Sequence, residues 1–418
     1  MSVLDVTAVL VCLAAAFGLI NARFLRLPPA IGLLAVTLIV SVVVKIVDQA
    51  APGLGIGTTM RTVVEELHFE TTLMEGMLGF LLFAGSLHVD FAALREHKIV
   101  IALLATAGVV LSTFLIGLGF HWISGEAIAI ALVFGALISP TDPVAVLGIL
   151  KTAGAPRSLE TKITGESLFN DGVGVVVFLI LAGIAFPAGG QDAEVGVSDV
   201  VKLFAVEALG GAALGLATSW IVWQLTRRVD DYGLEVLLTV ALVMGTYSLA
   251  SALHMSGPIA VVVAGLLIGH LGLPEGMSEK TREHVTKFWH LIDELLNAVL
   301  FLMIGLELFA VDWSDPSYVL VGLAAIPLAL LARFVAISAM FRLLAHRETF
   351  PPGTRFVMTW GGLRGGISVA LVLSLPAGEH RELLLAATYV VVVFSILVQG
   401  LTLGRVVRAA VGRAPGVG

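Results

Sequence analysis

Charge is what this sequence has least of. It carries 24 Lys+Arg and 31 Asp+Glu in 418 residues, 13% charged, about half the ~25% of a soluble domain. The net charge of −7 leaves no basic field for nucleic acid. Cysteine is nearly missing too. The single Cys12 excludes an intrachain disulfide framework and a Cys-based zinc site. Its neighbours Val11 and Leu13 predict a buried, inert thiol. Met1 to Asp5 lack a basic n-region, so no cleavable signal is expected. There is no GxSxG, HExxH or GxxxxGK[ST], and no GxGxxG leading into a helix. Hydrolase and nucleotide-driven pump readings therefore have no support, and no enzyme is expected. What is abundant is apolar: 58% of residues, or about 69% once the 45 glycines are added. A soluble fold of this size has no way to hide so much apolar surface. The solvent for most of this chain is lipid.

A spanning helix needs ~20 mostly apolar residues. That window predicts an all-α polytopic membrane protein of about thirteen transmembrane helices. They fall near 5–21, 27–47, 72–90, 99–121, 126–150, 163–186, 200–226, 233–253, 257–271, 290–311, 317–344, 354–376 and 382–404. The connection 272–289 reads as a surface amphipathic helix. Lys and Arg then divide unevenly. Loops after odd-numbered windows hold 18, from Arg23 and Arg26 to Arg413. The other side holds Lys45, Arg61, Lys202 and Arg381, and carries acids such as Glu70, Asp192 and Asp315. The positive-inside rule puts the N-terminus outside and the C-terminus in the cytoplasm. No cytoplasmic regulatory domain is expected after the last window. Trp122, Trp220, Trp223, Trp289 and Trp313 fall near window ends, where interfacial anchors sit.

Ionisable residues deep in a span are costly and mark functional sites. Four segments hold them. In the fifth window, Ser139-Pro140-Thr141-Asp142-Pro143 has two prolines that remove amide donors and disfavour helix before each. Freed carbonyls and the Thr141 hydroxyl can coordinate a cation. Asp142 suits a helix N-terminus or an ion equally. In the twelfth, Trp360-Gly361-Gly362-Leu363-Arg364-Gly365-Gly366 unwinds helix at low steric cost and sets Arg364 among unpaired carbonyls. In the sixth, Glu166, Ser167, Asn170 and Asp171 share one face as i,i+4 pairs, an oxygen-ligand set for a hard cation. In the eleventh, Arg333 lies too deep to snorkel and needs a carboxylate, with Glu166, Asp171 and Glu307 as candidates. Two interrupted spans in opposite halves point to a secondary-transporter site built from inverted repeats, here windows 2–7 and 8–13.

At these residues the chain resembles the cation:proton antiporters, in the branch of NhaP-type and animal sodium/proton exchangers. The motifs are Ser139 to Val144, Glu166 to Asp171, Asn297 to Leu308 and Gly361 to Gly365. The resemblance implies inverted six-helix repeats with two crossing broken helices, a homodimer, and a core domain moving across a dimerisation domain. The core is expected around 72–186 and 290–376. The resemblance implies Asp171 as the ion-binding acid, with Asn170, Ser167 and Thr141 beside it and Asp142 as cap or ligand. It pairs Glu166 with Arg333. Relatives often carry a phenylalanine-acid-glycine triplet in the third span, but here Phe83-Ala84-Gly85 has none, and Glu75 is the nearest acid.

The function expected is secondary antiport of sodium or lithium against protons across a bacterial inner membrane. One proton per sodium is expected, because Asn170-Asp171 stands where electrogenic relatives carry two acids. A potassium/proton antiporter is the rival within transport, and a cation channel the rival of another class. No cofactor is expected beyond the transported sodium ion and proton. The partners are the lipid bilayer and a second copy of the chain.

Overall fold

The computed structural model describes residues 3–51, 55–66, 68–187, 197–311, 313–348 and 350–411. Asp192 and Arg413 lie outside them. Among the described residues every regular element is a helix, and helix occupies all thirteen predicted windows. Nine helices among the described residues are long and apolar enough to cross a membrane by length and composition. The other four windows differ for physical reasons. Two are broken in the middle: Ile128–Ile138 with Val144–Ala153, and Thr354–Trp360 with Gly366–Leu373. A third holds the π-turn Thr72–Met77 followed by Leu78–Leu87. The fourth lies in Glu279–Leu306, which is heavily charged at its start.

That last helix corrects the expectation of a separate surface helix at 272–289. Ser278 caps it by accepting a hydrogen bond from Thr281 N, and no breaker follows before Leu306. The charged stretch and the apolar stretch are therefore one rod of 28 residues.

The helices sort into two packed groups. In one, Lys98–Ser124, Ile128–Ile138, Arg157–Ala185, Pro316–Leu344, Gly366–Leu373 and Glu379–Ala410 pack together. In the other, Val3–Ile20, Pro29–Ala50, Leu78–Leu87, Tyr232–Ala252, Gly257–Leu267 and Glu279–Leu306 do so. Val197–Thr226 lies against the second group and touches Arg157–Ala185. Helices 78–87 and 279–306 pack within the second group, and 379–410 packs within the first.

Two further expectations are corrected. Cys12 is exposed, not buried. The Val3–Ile20 helix is apolar all round, so its sequence does not say which face packs. Leu10, Ala14 and Phe17 turn inward, and Cys12 lies between them on the outer face. Trp122 and Trp220 are exposed as anchors would be, but Trp289 and Trp223 are buried. Trp289 Nε1 donates to Thr239 Oγ1 at 3.0 Å, and its ring lies 4.6 Å from that of Phe83. A partner for the indole N–H lets the side chain serve as core.

Candidate functional site

The site forms where the two broken helices meet. Pro143 has no N–H to return to the carbonyl of Ser139, and a broken helix at membrane depth must satisfy its carbonyls otherwise. Arg364 does this. Its Nη1 donates to Ser139 O at 2.6 Å and Pro140 O at 2.8 Å. In return, Asp142 N donates to Leu363 O at 2.8 Å. Each break thus satisfies the other. Ser368 Oγ reaches Leu137 O at 2.7 Å, and Arg364 N donates to Ser395 Oγ at 2.9 Å. Gln399 Nε2 donates to Trp360 O at 2.9 Å. Ser395 and Gln399 come from a π-turn, Ser395–Gln399. Sequence reasoning missed both, and their only signal was polar side chains in an otherwise apolar window.

Helix termini add charge. The N-termini of Val144–Ala153 and Gly366–Leu373 bring partial positive charge to the crossing, and the C-termini of Ile128–Ile138 and Thr354–Trp360 bring negative. Arg364 sits at the negative ends. Asp142 Oδ1 accepts from Val144 N at 2.8 Å, at a positive end. The geometry gives Asp142 a capping interaction and also sets it in the cavity wall. Gly365 makes this approach possible: a Cβ there would stand 2.5 Å from Asp142 Oδ2.

The unbroken helix Arg157–Ala185 brings the polar face predicted for it to the first break. Thr141 N donates to Asn170 Oδ1 at 3.3 Å, and Asn170 Nδ2 donates to Thr141 Oγ1 at 2.9 Å. The Thr141 and Ser167 hydroxyls are 3.0 Å apart. Asn170 thereby satisfies the amide and the hydroxyl of Thr141 where the helix is interrupted. Glu166 and Arg333 form an ion pair, with both side chains buried. Of the three acids open to Arg333, Glu166 is the one it takes.

Asp171 is different. It is 6% exposed and takes no hydrogen bond or ion pair among the described residues. It lines a cavity of about 770 Å³ with Asp142, Pro140 and Leu168. Glu75 does not line that cavity and is exposed, whereas Ala84 and Gly85 of the acid-free triplet do line it. Glu307 is buried away from the cavity at the end of Glu279–Leu306. Asp293 and Asn297, not singled out by charge depth in the sequence, line the cavity from the second helix group. Among the described residues, no group of three or more His, Cys, Asp or Glu could hold a tightly bound metal ion. Oxygens from hydroxyl, amide, carbonyl and a single carboxylate suit a weakly held monovalent cation instead.

Comparison with known proteins agrees with this arrangement. The family described as "Sodium/hydrogen exchanger, transmembrane" matches residues 9–409. The chain is 46% identical over 414 residues to the Na(+)/H(+) antiporter NhaP of Pseudomonas aeruginosa, covering 97% of this chain and 96% of that protein. It is 36% identical over 394 residues to the Na(+)/H(+) antiporter NhaH of Halobacillus dabanensis, covering 93% of each. The sodium proton antiporter MjNhaP1 of Methanocaldococcus jannaschii shares the fold, with a TM-score of 0.77 at 18% identity, over 99% of this chain and 100% of that one. With both motif-bearing breaks, the helix between them and the whole length matched, this multi-pass chain belongs to the transmembrane sodium/hydrogen exchanger family.

Proposed function

We propose that the protein exchanges sodium, or lithium, for protons by alternating access, with Asp171 as the shared site. The observation that carries this is Asp171 itself: a buried carboxyl group without a protein partner, facing a cavity beside the crossing of two broken helices. An ionised carboxylate in low dielectric is costly until something neutralises it. A proton or a monovalent cation does so equally well, so the two compete and each is carried in turn. Ser167, Thr141 and Asp142 supply the remaining oxygens. Glu166, Arg333 and Arg364 hold the surrounding backbone and charge in place. The named antiporters similar to this chain favour sodium over potassium. A channel needs a continuous pore with weak multi-site binding, and a deeply buried acid beside crossing broken helices suits a carrier better.

The cavity also supports an orientation. Pro28, His88, Lys151 and His290 line it, and all belong to the side on which Lys and Arg concentrate. With the positive-inside rule, this face is cytoplasmic and the conformation faces inward. The N-terminus is then outside, the C-terminus cytoplasmic, and thirteen helices cross the inner membrane. The group bearing Asp171 moves against the group containing residues 232–252, which holds a second copy in a homodimer. The test uses inside-out membrane vesicles with a preformed pH gradient. Sodium and lithium pulses should each collapse the gradient and potassium should not. An equal response to potassium, or none to sodium, overturns the reading.

A further inference from the structure

The sequence motif that starts at Asn297 has no part in the site described so far. The structure places Asn297 and Asp293 one helical turn apart on Glu279–Leu306, both in the wall of the cavity that Asp171 also lines. Asn297 Nδ2 donates to Asp293 O at 2.8 Å and to Asp293 Oδ1 at 2.9 Å. This fixes the amide and fixes one carboxylate oxygen. Two acceptors remain. Asp293 Oδ2 takes no hydrogen bond among the described residues. Asn297 Oδ1 is buried without a partner, on a side chain that is 6% exposed. A buried amide oxygen left unpaired costs free energy unless a ligand reaches it. The two free oxygens lie on the helix group that does not carry Asp171, and Asp293 is within electrostatic range of Asp142 across the cavity.

We propose that Asp293 and Asn297 form a second cation station on the inner face, which receives sodium from, or passes it to, the carrier site at Asp171. A carboxylate oxygen and an amide oxygen are hard ligands, matched to a monovalent alkali cation and poor for a soft metal. The station stands on the opposite wall to the carrier acid, so it serves the ion only while the cavity is open on its side. It also supplies a charge to a wall where the third-span triplet, Phe83-Ala84-Gly85, has none. Glu294 is the comparison. It lines the same cavity but its side chain is 68% exposed, so its charge is screened.

This rests on the exchange reading, and the experiment separates the two. Sodium-driven proton movement is measured in inside-out and right-side-out vesicles, giving an apparent KM for sodium at each face. For Asp293→Asn we expect the cytoplasmic-face KM to rise roughly fivefold, which is the ~1 kcal/mol that one charge about 4 Å from the ion contributes at the dielectric of a water-filled cavity. The outer-face KM and the maximal rate should stay as in the unaltered protein. Asn297→Ala should move the same constant in the same direction, Asp293→Glu should restore it, and Glu294→Gln should leave it unchanged. A KM that rises equally at both faces overturns the station, as does a loss of maximal rate with both KM values unchanged, because either is what a purely structural role produces. Unaltered KM values in both Asp293→Asn and Asn297→Ala also overturn it. If the unaltered protein moves no protons with sodium at either face, the exchange reading fails instead.

Discussion

Asp171, Glu166 and Arg333 show how differently three buried charges can be used. Among the described residues Asp171 takes no hydrogen bond or ion pair, so on the proposed reading replacing it removes the transported charge without stranding another. Asp171→Asn is expected to abolish sodium-driven proton movement while the protein still inserts with near-normal thermal stability. Robust flux in that variant would take Asp171 out of the mechanism. Among the described residues Glu166 and Arg333 have only each other as charged partners, and removing one partner of a buried pair costs ~3–5 kcal/mol. Glu166→Gln and Arg333→Ala should each lower the melting temperature in detergent more than Asp171→Asn does. The double variant should be less destabilised than the two singles added together; strict additivity would mean the pair contributes nothing. These three residues were legible in the sequence because ionisable groups stand out in apolar windows. Asp293 and Asn297 were harder to find, because they sit near a window end, where polar residues are ordinary. Cys12 was misplaced because in a helix apolar on nearly every side composition does not say which face packs; Trp289 was misplaced because it lies on the buried face of the charged stretch read as a surface helix.

Among the helices, the breaks were legible and their mutual support was not. Proline pairs and glycine runs announce where a helix stops. Nothing in either segment says that Arg364 will satisfy the carbonyls of Ser139 and Pro140, a contact across 225 residues for the first of them. The five π-turns among the described residues were invisible as well, since a single extra residue per turn leaves apolar periodicity nearly intact. The unbroken helix Arg157–Ala185 offers a test of how closely the first break is held. A Cβ on Gly174 would collide with Pro140 Cγ, whereas a Cβ on Gly183, nine residues along the same helix, would meet nothing within 4 Å. Gly174→Ala should destabilise by about 1–3 kcal/mol through overpacking and slow exchange, because it pushes the break away from Asn170 and Ser167. Gly183→Ala should be neutral or slightly stabilising, since Ala favours helix by up to ~1 kcal/mol over Gly. Thermal unfolding and initial exchange rates in proteoliposomes check both. Equal behaviour of the two variants would show that helix propensity, not the contact with Pro140, decides the outcome.

For the whole molecule, the question is what crosses the membrane with its charge. Only groups that change protonation or ion occupancy during the cycle count. Asn170 does not titrate. Glu166 is held by Arg333 in a buried ion pair, so it is not free to take up the transported cation. Asp142 has one oxygen committed to Val144 N. On the exchange proposed above, Asp171 is then the carrier group that alternates between proton and sodium, Asp293 staying behind on the opposite wall, and the carrier site has the same net charge in both forms. Two consequences follow for transport by the intact protein. First, protons and sodium compete. Lowering pH on the side where sodium is presented should raise its apparent KM and leave the extrapolated maximal rate unchanged. A maximal rate that falls with unchanged KM would point to a separate proton site. Second, the membrane potential does no work on a one-for-one exchange, whereas it acts on each uncompensated elementary charge with ~2.3 kcal/mol per 100 mV. In proteoliposomes with the potential clamped by potassium and valinomycin, sodium is allowed to accumulate against a fixed pH gradient at zero and at about −100 mV inside. One-for-one exchange should give the same final sodium ratio at both potentials. Two protons per sodium would shift that ratio by roughly fifty-fold, because 2.3 kcal/mol is a little under two factors of ten. The two outcomes are far enough apart that neither leak nor incomplete clamping turns one into the other. A shift of that size would reassign Asp142 from cap to second proton carrier, and Asp142→Asn should then make the ratio independent of potential.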